Sequence, residues 1–242
     1  MGFGTPTAGF LAGAALFLDF DGTLVELTPT PDGTRVDGPL LTLLAEVRAS
    51  LGGRLAIVSG RSIEVLRGTF GLGDFWLAGS HGLELAAPHL DIESPARDPA
   101  IDEAQRALEV FVADKPGLFV EPKALGVGLH FRPAPQFQRA CEAFTERLAR
   151  ETGLVNQHGK MMYELRPGGA DKGTAIGALL QRTPFLGGRP IFFGDDLTDE
   201  AGFSEVVKHH GAGVLVGPER QSAAQYRLED VEAVRALLRA AP

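Results

Sequence analysis

The sequence predicts an α/β protein: a parallel sheet wound with helices and interrupted by an inserted α+β segment. Three observations carry this. Short apolar runs alternate with helix-spaced segments from Ala14 to about Pro95, the pattern of parallel strands joined by crossover helices. The alternation breaks over 97–165 and resumes from Arg166. The first apolar run, Ala14–Leu18, has no polar residue and stops on Asp19 and Asp21. A strand buried on both faces, delivering its functional groups at the carboxyl edge of a sheet, looks like this.

Taken in order, Ala14–Leu18 is the first strand, and Gly22-Thr23 turns the chain away. The stretch 26–37, rich in Pro, Thr, Asp and Gly, reads as a loop flap beside the first strand's end. Leu40, Leu43, Leu44 and Val47 repeat at helical spacing after Pro39, and Gly52-Gly53 stops that helix. A buried strand over 54–58 ends in Ser59-Gly60-Arg61, a helix follows over 62–68, and a strand over 75–78 closes on Gly79-Ser80-His81-Gly82. The insert reads as two repeats of a helix followed by two strands. Its first helix carries Ile101, Ala104, Leu108 and Phe111, and its second Phe137, Cys141, Phe144 and Leu148. Its strands fall at 118–121, 125–132, 154–157 and 161–165, with turns near Lys123 and at His158-Gly159. Pro122 marks its strand as an edge strand, since proline cannot donate to a ladder. The resumed core has a helix opening after Asp171-Lys172-Gly173, a strand over 190–193 ending in Gly194-Asp195-Asp196, a helix after Thr198-Asp199-Glu200, a strand over 214–216 and a closing helix over 231–238. The expected division is therefore a discontinuous core, 1–96 with 166–242, and an insert, 97–165.

Composition narrows the function classes. At 242 residues with 44% hydrophobic and 22% charged residues, the chain has the make-up of an ordinary globular protein with a sizeable core. A net charge of −8 without a Lys/Arg run points away from nucleic acid and from anionic membranes. The insert is near neutral, so almost all the negative excess lies in the core. The single Cys141 excludes an intrachain disulfide and suits a reducing, cytoplasmic setting. Residues 9–18 are apolar, but no Lys or Arg precedes them and they run into Asp19, so they read as lead-in and core strand rather than as a signal or a span.

Four stretches fall at strand ends or helix starts, where wound sheets place ligands. Asp19-Phe-Asp-Gly-Thr supplies a nucleophilic carboxylate and, in Asp21, a neighbouring acid. The Ser59 hydroxyl can bond a phosphoryl oxygen, and Lys172 can put a point charge on it. Gly194-Asp195-Asp196 with Asp199 adds carboxylates for Mg²⁺, an ion that wants oxygen ligands. The set fits phosphoryl transfer, in which charge neutralisation matters more than covalent help: Asp19 as nucleophile, Asp21 as acid and then base, and Mg²⁺ on Asp19, the Asp21 backbone carbonyl and Asp195, with Asp196 and Asp199 behind. Singly each stretch has a plain reading, as turn, exposed lysine or helix cap; jointly they define a phosphatase-type site.

The Asp19-Phe-Asp-Gly-Thr-Leu stretch resembles the nucleophile motif of the haloacid dehalogenase superfamily of phosphatases. More specifically, the chain resembles the trehalose-6-phosphate phosphatases through Ser59-Gly-Arg, Ser80-His-Gly-Leu-Glu84, Glu121-x-Lys123, His130-Phe-Arg132, Glu164-Leu-Arg-Pro167, Lys172-Gly and Gly194-Asp-Asp-Leu-Thr-Asp-Glu200. The resemblance implies a Rossmann-like core with helices on both faces, a mobile α+β cap, Mg²⁺, and release of phosphate to leave trehalose. It implies a disaccharide site at Glu121, Lys123 and Glu164. The matched motifs extend the expected substrate-contacting set to Gly22, Thr23, Gly60, Arg61, His81 and Glu84 in the core, to His130 and Arg132 in the insert, and to Arg166 directly after it. Functional coupling to a trehalose-6-phosphate synthase is a further expectation. Rival readings are a phosphatase for another phosphorylated disaccharide or a glycosyl-phosphoglycerate, and a non-catalytic sugar-phosphate sensor, which would not need Asp21.

Overall fold

The computed structural model describes residues 2–7, 9–28, 33–159 and 161–241; part of the expected flap, residues 29–32, lies outside them. Two compact units result, Met1–Ser94 with Ala170–Pro242, and Pro95–Gly169.

The first unit is built on β1 (Ala14–Leu18), α1 (Gly38–Ser50), β2 (Leu55–Val58), α2 (Ile63–Gly68), β3 (Trp76–Gly79) and β4 (Glu84–Ala86). After the insert it continues with α5 (Lys172–Leu180), β9 (Arg189–Gly194), α6 (Glu200–Lys208), β10 (Ala212–Val216), β11 (Tyr226–Leu228) and α7 (Val231–Arg239). The sheet order is β11-β10-β9-β1-β2-β3-β4, with β1 in the middle. All pairings are parallel except β3–β4. The antiparallel β4 and the edge strand β11 were not expected; three residues each are too few to show a period.

Why β1 is wholly apolar is visible in its two faces. Ala14, Leu16 and Leu18 pack with Leu40, Leu44 and Val47 of α1, Leu66 of α2 and Val234 and Leu238 of α7. Ala15 and Phe17 pack on the other side with Ile176 and Leu179 of α5 and Phe203 and Val206 of α6. Side chains of a strand alternate in direction, so a strand between two helix layers must be apolar at every position. Rossmann-like α/β is thus the observed class of the core. Among the described residues, no helix is long and apolar enough to cross a membrane.

The second unit contains α3 (Pro99–Val112), β5 (Phe119–Lys123), β6 (Gly126–His130), α4 (Gln138–Thr152), β7 (Val155–Gly159) and β8 (Met162–Arg166). Its antiparallel sheet runs β5-β6-β8-β7, and Pro122 does sit on an edge strand. Val127, Leu129, Tyr163 and Leu165 point to the helices and pack with Ile101 and Leu108 of α3 and Cys141 and Leu148 of α4. The turn expected near Lys123 falls at 124–125, directly after β5, but His158 and Gly159, expected as a turn, belong to β7, paired with Tyr163 and Met162. A histidine-glycine pair has turn composition, but the ladder to β8 continues through it. The strand expected to reach Arg132 ends at His130, ahead of Pro133.

Candidate active site

Because β1, β2, β3 and β9 run parallel, their carboxyl ends lie along one edge of the sheet. Asp19 follows β1, and its backbone N–H donates to Phe193 O of β9 at 2.9 Å. Lys172 is the first residue of α5, a helix fixed at its start by a reciprocal capping box between Asp171 and Thr174. From there the Lys172 Nζ reaches both Asp19 Oδ1 and Asp199 Oδ1 at 2.6 Å. The other Asp199 oxygen accepts the backbone N–H groups of Asp195, at 3.0 Å, and Asp196, at 2.9 Å. Asp199 therefore spends both oxygens on holding Lys172 and the loop after β9. A Cβ at Gly194 would collide with the Asp199 side chain, and one at Gly22, whose φ is +86°, with the Asp195 carboxylate. Asp196 accepts from Leu197 N at 2.7 Å and acts as a cap.

The electrostatics follow from three carboxylates against one ammonium. Asp19, Lys172 and Asp199 are 4%, 3% and 0% exposed. Burial pushes the Asp19 carboxyl well above the usual range; Lys172 opposes this, and the Asp199 and Asp195 charges add to it. Burial, then the Asp199 carboxylate, pushes Asp195 up to about 7. Burial works against the Lys172 charge, but Asp19 and Asp199 outweigh it and hold the ammonium above its ordinary range. Carboxylate oxygens of Asp19, Asp195 and Asp199 all lie within 4.8 Å of one another. An all-oxygen cluster with surplus negative charge fits a hard divalent cation.

The carboxylate of Asp21, the neighbouring acid of the motif, lies outside that cluster. The Arg61 Nε donates to Asp21 Oδ2 at 2.6 Å and its Nη2 to Oδ1 at 2.7 Å. The same Nη2 reaches Thr34 Oγ1 at 3.0 Å, and the guanidinium lies over Phe70. Arg61, expected on the substrate, is thus seated on the acid. Nothing in the sequence marked this pair or Thr34, because the partners are far apart in the chain.

Ser59 and Thr23 are enclosed, 1% and 0% exposed. The Ser59 Oγ accepts the Arg61 N–H at 3.1 Å. The Thr23 Oγ1 is buried without a hydrogen-bond partner among the described residues, a costly state that an absent acceptor would relieve. Gly60 is covered by the His81 imidazole, so the two loops interlock. Ser80 and His81 both take positive φ, 48° and 56°. The loop is held by Glu84, whose Oε2 accepts from Ser80 Oγ at 3.0 Å and Ile63 N at 2.9 Å. Glu84 is 5% exposed, so it supports the loop rather than presenting itself to substrate.

In the second unit Glu121, Lys123, His130, Glu164 and Arg166 share one face of the sheet, as register and parity require. The Lys123 ammonium bonds the Glu164 carboxylate. His130 Nε2 is 2.7 Å from Glu121 Oε2. That hydrogen bond and the Lys123 charge outweigh burial and hold the Glu121 carboxyl below its ordinary range. Arg166 donates to Gln157 Oε1 at 3.1 Å. Arg132 lies just beyond the end of β6 and is partly buried.

A wound sheet carrying a buried aspartate after its central strand, a serine after the next, a lysine at the start of α5 and aspartates just after β9 has the make-up of a phosphatase. The family model described as trehalose-phosphatase matches residues 17–232. A probable trehalose-phosphate phosphatase of Sinorhizobium fredii is 37% identical over 229 residues, 93% of this chain and 86% of that one. The trehalose-6-phosphate phosphatase of Escherichia coli is 37% identical over 221 residues, 88% and 81% of the two chains. A crystal structure of a trehalose-6-phosphate phosphatase related protein superposes with a TM-score of 0.77 at 28% identity, covering 93% of this chain and 95% of that one. The chain belongs to the trehalose-phosphatase family.

Proposed function

We propose that the chain hydrolyses trehalose 6-phosphate to trehalose and phosphate, through a phosphoryl group carried on Asp19. The supporting observation is the Lys172 ammonium held between Asp19 and Asp199 at 2.6 Å from each, which fixes a nucleophilic oxygen beside a positive charge in a buried site. Asp19 attacks phosphorus, and the ester oxygen leaves as it takes a proton from Asp21. Water then cleaves the aspartyl-phosphate, giving a proton back to Asp21. For Asp21 to donate, at least one of its oxygens must leave the Arg61 fork. Lys172 and the Ser59 hydroxyl stabilise charge on the phosphoryl oxygens, and the unpartnered Thr23 hydroxyl is a third donor. Asp19 and Asp195, with the Asp21 backbone carbonyl, would hold Mg²⁺, whose charge would neutralise the phosphoryl oxygens and keep the carboxylates ionised.

The core groups address only phosphate, so the choice of sugar falls to the insert. Glu121, Lys123 and Glu164 offer the acceptors and donors that sugar hydroxyls need. Functional coupling to a trehalose-6-phosphate synthase, and a cytoplasmic setting, belong to the same proposal. Phosphate release is to be measured on trehalose 6-phosphate, sucrose 6-phosphate, glucose 6-phosphate and a glycosyl-phosphoglycerate, with and without Mg²⁺. Trehalose 6-phosphate turnover that requires Mg²⁺ is expected; faster release from another member of the panel overturns the substrate, and full activity after chelation overturns the metal.

A further inference from the structure

On the same face of the second unit's sheet lies Phe119, two residues before Glu121 and four before Lys123. Its cross-strand partner is His130, and the two rings stack at 4.4 Å between centroids with planes 4° apart. His130 is 7% exposed, whereas Phe119 is 42% exposed. The imidazole covers one face of the phenyl ring, so the exposed area belongs to the opposite face and the edge. An aromatic ring of this size is usually buried for its apolar area; here half a stack is left open, on a face that carries Glu121, Lys123, Glu164 and Arg166 together with the apolar Met162 and Val155.

The stack is also held rigid. An ionised Glu121 can only accept, so His130 Nε2 donates to it, which sets the imidazole plane and with it the phenyl plane. Beside the stack the central strand β6 carries no side chain at Gly126 and Gly128. A Cβ at Gly128 would come to 3.1 Å from Met162 Cε and 3.3 Å from Glu121 Oε2, and one at Gly126 to 3.0 Å from Glu164 Oε1. The neighbouring side chains thus lean over both glycines, and β6 is buried along its length, so this face offers an exposed aromatic ring at one end with carboxylates and an ammonium beside it.

We infer that Phe119 is a stacking platform for a pyranose ring, and so a specificity-determining residue for the glycosyl part of the substrate. This rests on the proposed phosphatase reading and names how its sugar is recognised. A pyranose in the chair form has C–H bonds on its faces and hydroxyls around its rim. The weakly positive C–H hydrogens suit the negative face of the phenyl ring, while rim hydroxyls can reach Glu121, Lys123 and Glu164. A ring already immobilised by His130 loses little freedom on binding.

The test compares Phe119→Ala, Phe119→Leu and Phe119→Tyr in the full chain, with Val110→Ala on the exposed side of α3 as control. Two quantities are measured: KM and kcat for trehalose 6-phosphate, and direct binding of trehalose by calorimetry. Stacking predicts that Ala and Leu raise KM and the trehalose dissociation constant by roughly 3- to 10-fold, from the usual worth of an aromatic face. It predicts kcat changed less than twofold and near-wild-type values for Tyr. Leu matching Phe would show that the side chain only packs on His130, and would overturn the inference, as would unchanged KM and binding in all three variants. If wild type prefers another phosphorylated glycoside, the proposed substrate fails on its own, and the same series run on the preferred compound still decides the platform. Should Phe119→Ala unfold, the Leu and Tyr pair carries the comparison.

Discussion

At the residue scale the site is a problem of charge. Lys172 is bonded to both Asp19 and Asp199, and Asp195 stands close by. Asp19→Asn keeps the shape but removes the nucleophile, so steady phosphate release should fall to background with the fold intact by circular dichroism. Asp21→Asn should cost about 10²–10⁴-fold in kcat, the usual worth of a general acid. Asp195 gives a prediction about pH. Its folded pKa, about 7, lies above the ordinary aspartate value, so folding favours the protonated form. The stability this contributes is complete below about pH 4 and is lost as pH rises towards about 7. In chelator, the melting temperature should decline over that interval more steeply for wild type than for Asp195→Asn. Equal slopes would remove Asp195 as the cause. Added Mg²⁺ should raise the melting temperature most at the upper end of the range.

At the scale of elements, the site depends on loops that tie strand ends together. Glu84 is the clearest tie, bonding the Ser80 hydroxyl and the first N–H of α2. Glu84→Ala leaves two buried donors unpaired at about 1–3 kcal/mol each, a loss that urea denaturation would register; Glu84→Gln, which keeps an acceptor, should recover most of it. Equal stability in the two variants would deny Glu84 this role. The elements themselves were largely legible in the sequence. Ala14–Leu18 reads as a doubly buried strand because no position admits a polar residue, and Pro39 announces α1. What was not legible has a physical reason in each case. β4 is too short to carry a period, and the Gly159 end of β7 is set by pairing with Met162 rather than by local turn preference. In the candidate site, Asp19, Asp195, Asp199 and Lys172, which the structure brings together, were legible from their places at element ends. The Arg61–Asp21 fork was not, since an arginine's choice of partner is decided by tertiary placement. Phe119 was within reach, because strand parity already put it beside Glu121 and Lys123.

For the whole molecule, the proposed function assigns chemistry and selection to different compact units, and mutations should sort accordingly. Glu121→Ala, Lys123→Ala or Glu164→Ala removes a charge-assisted hydrogen bond, about 1.5–3 kcal/mol, or roughly 10- to 150-fold in kcat/KM. The loss should be much larger on trehalose 6-phosphate than on a small aryl phosphate, and equal losses would place these residues in the support of the fold instead. The discontinuous core has another consequence, for synthesis. The Asp19–Lys172 bond joins residues 153 apart in the chain, and β1 pairs on one side with β9, which emerges later still. At ordinary translation rates that is a delay of roughly ten to thirty seconds. Throughout it, the nascent polypeptide carries an all-apolar strand with one hydrogen-bonding edge open, the kind of segment that holding chaperones cover. The Asp19–Lys172 bond can form only after the whole insert between them has been made.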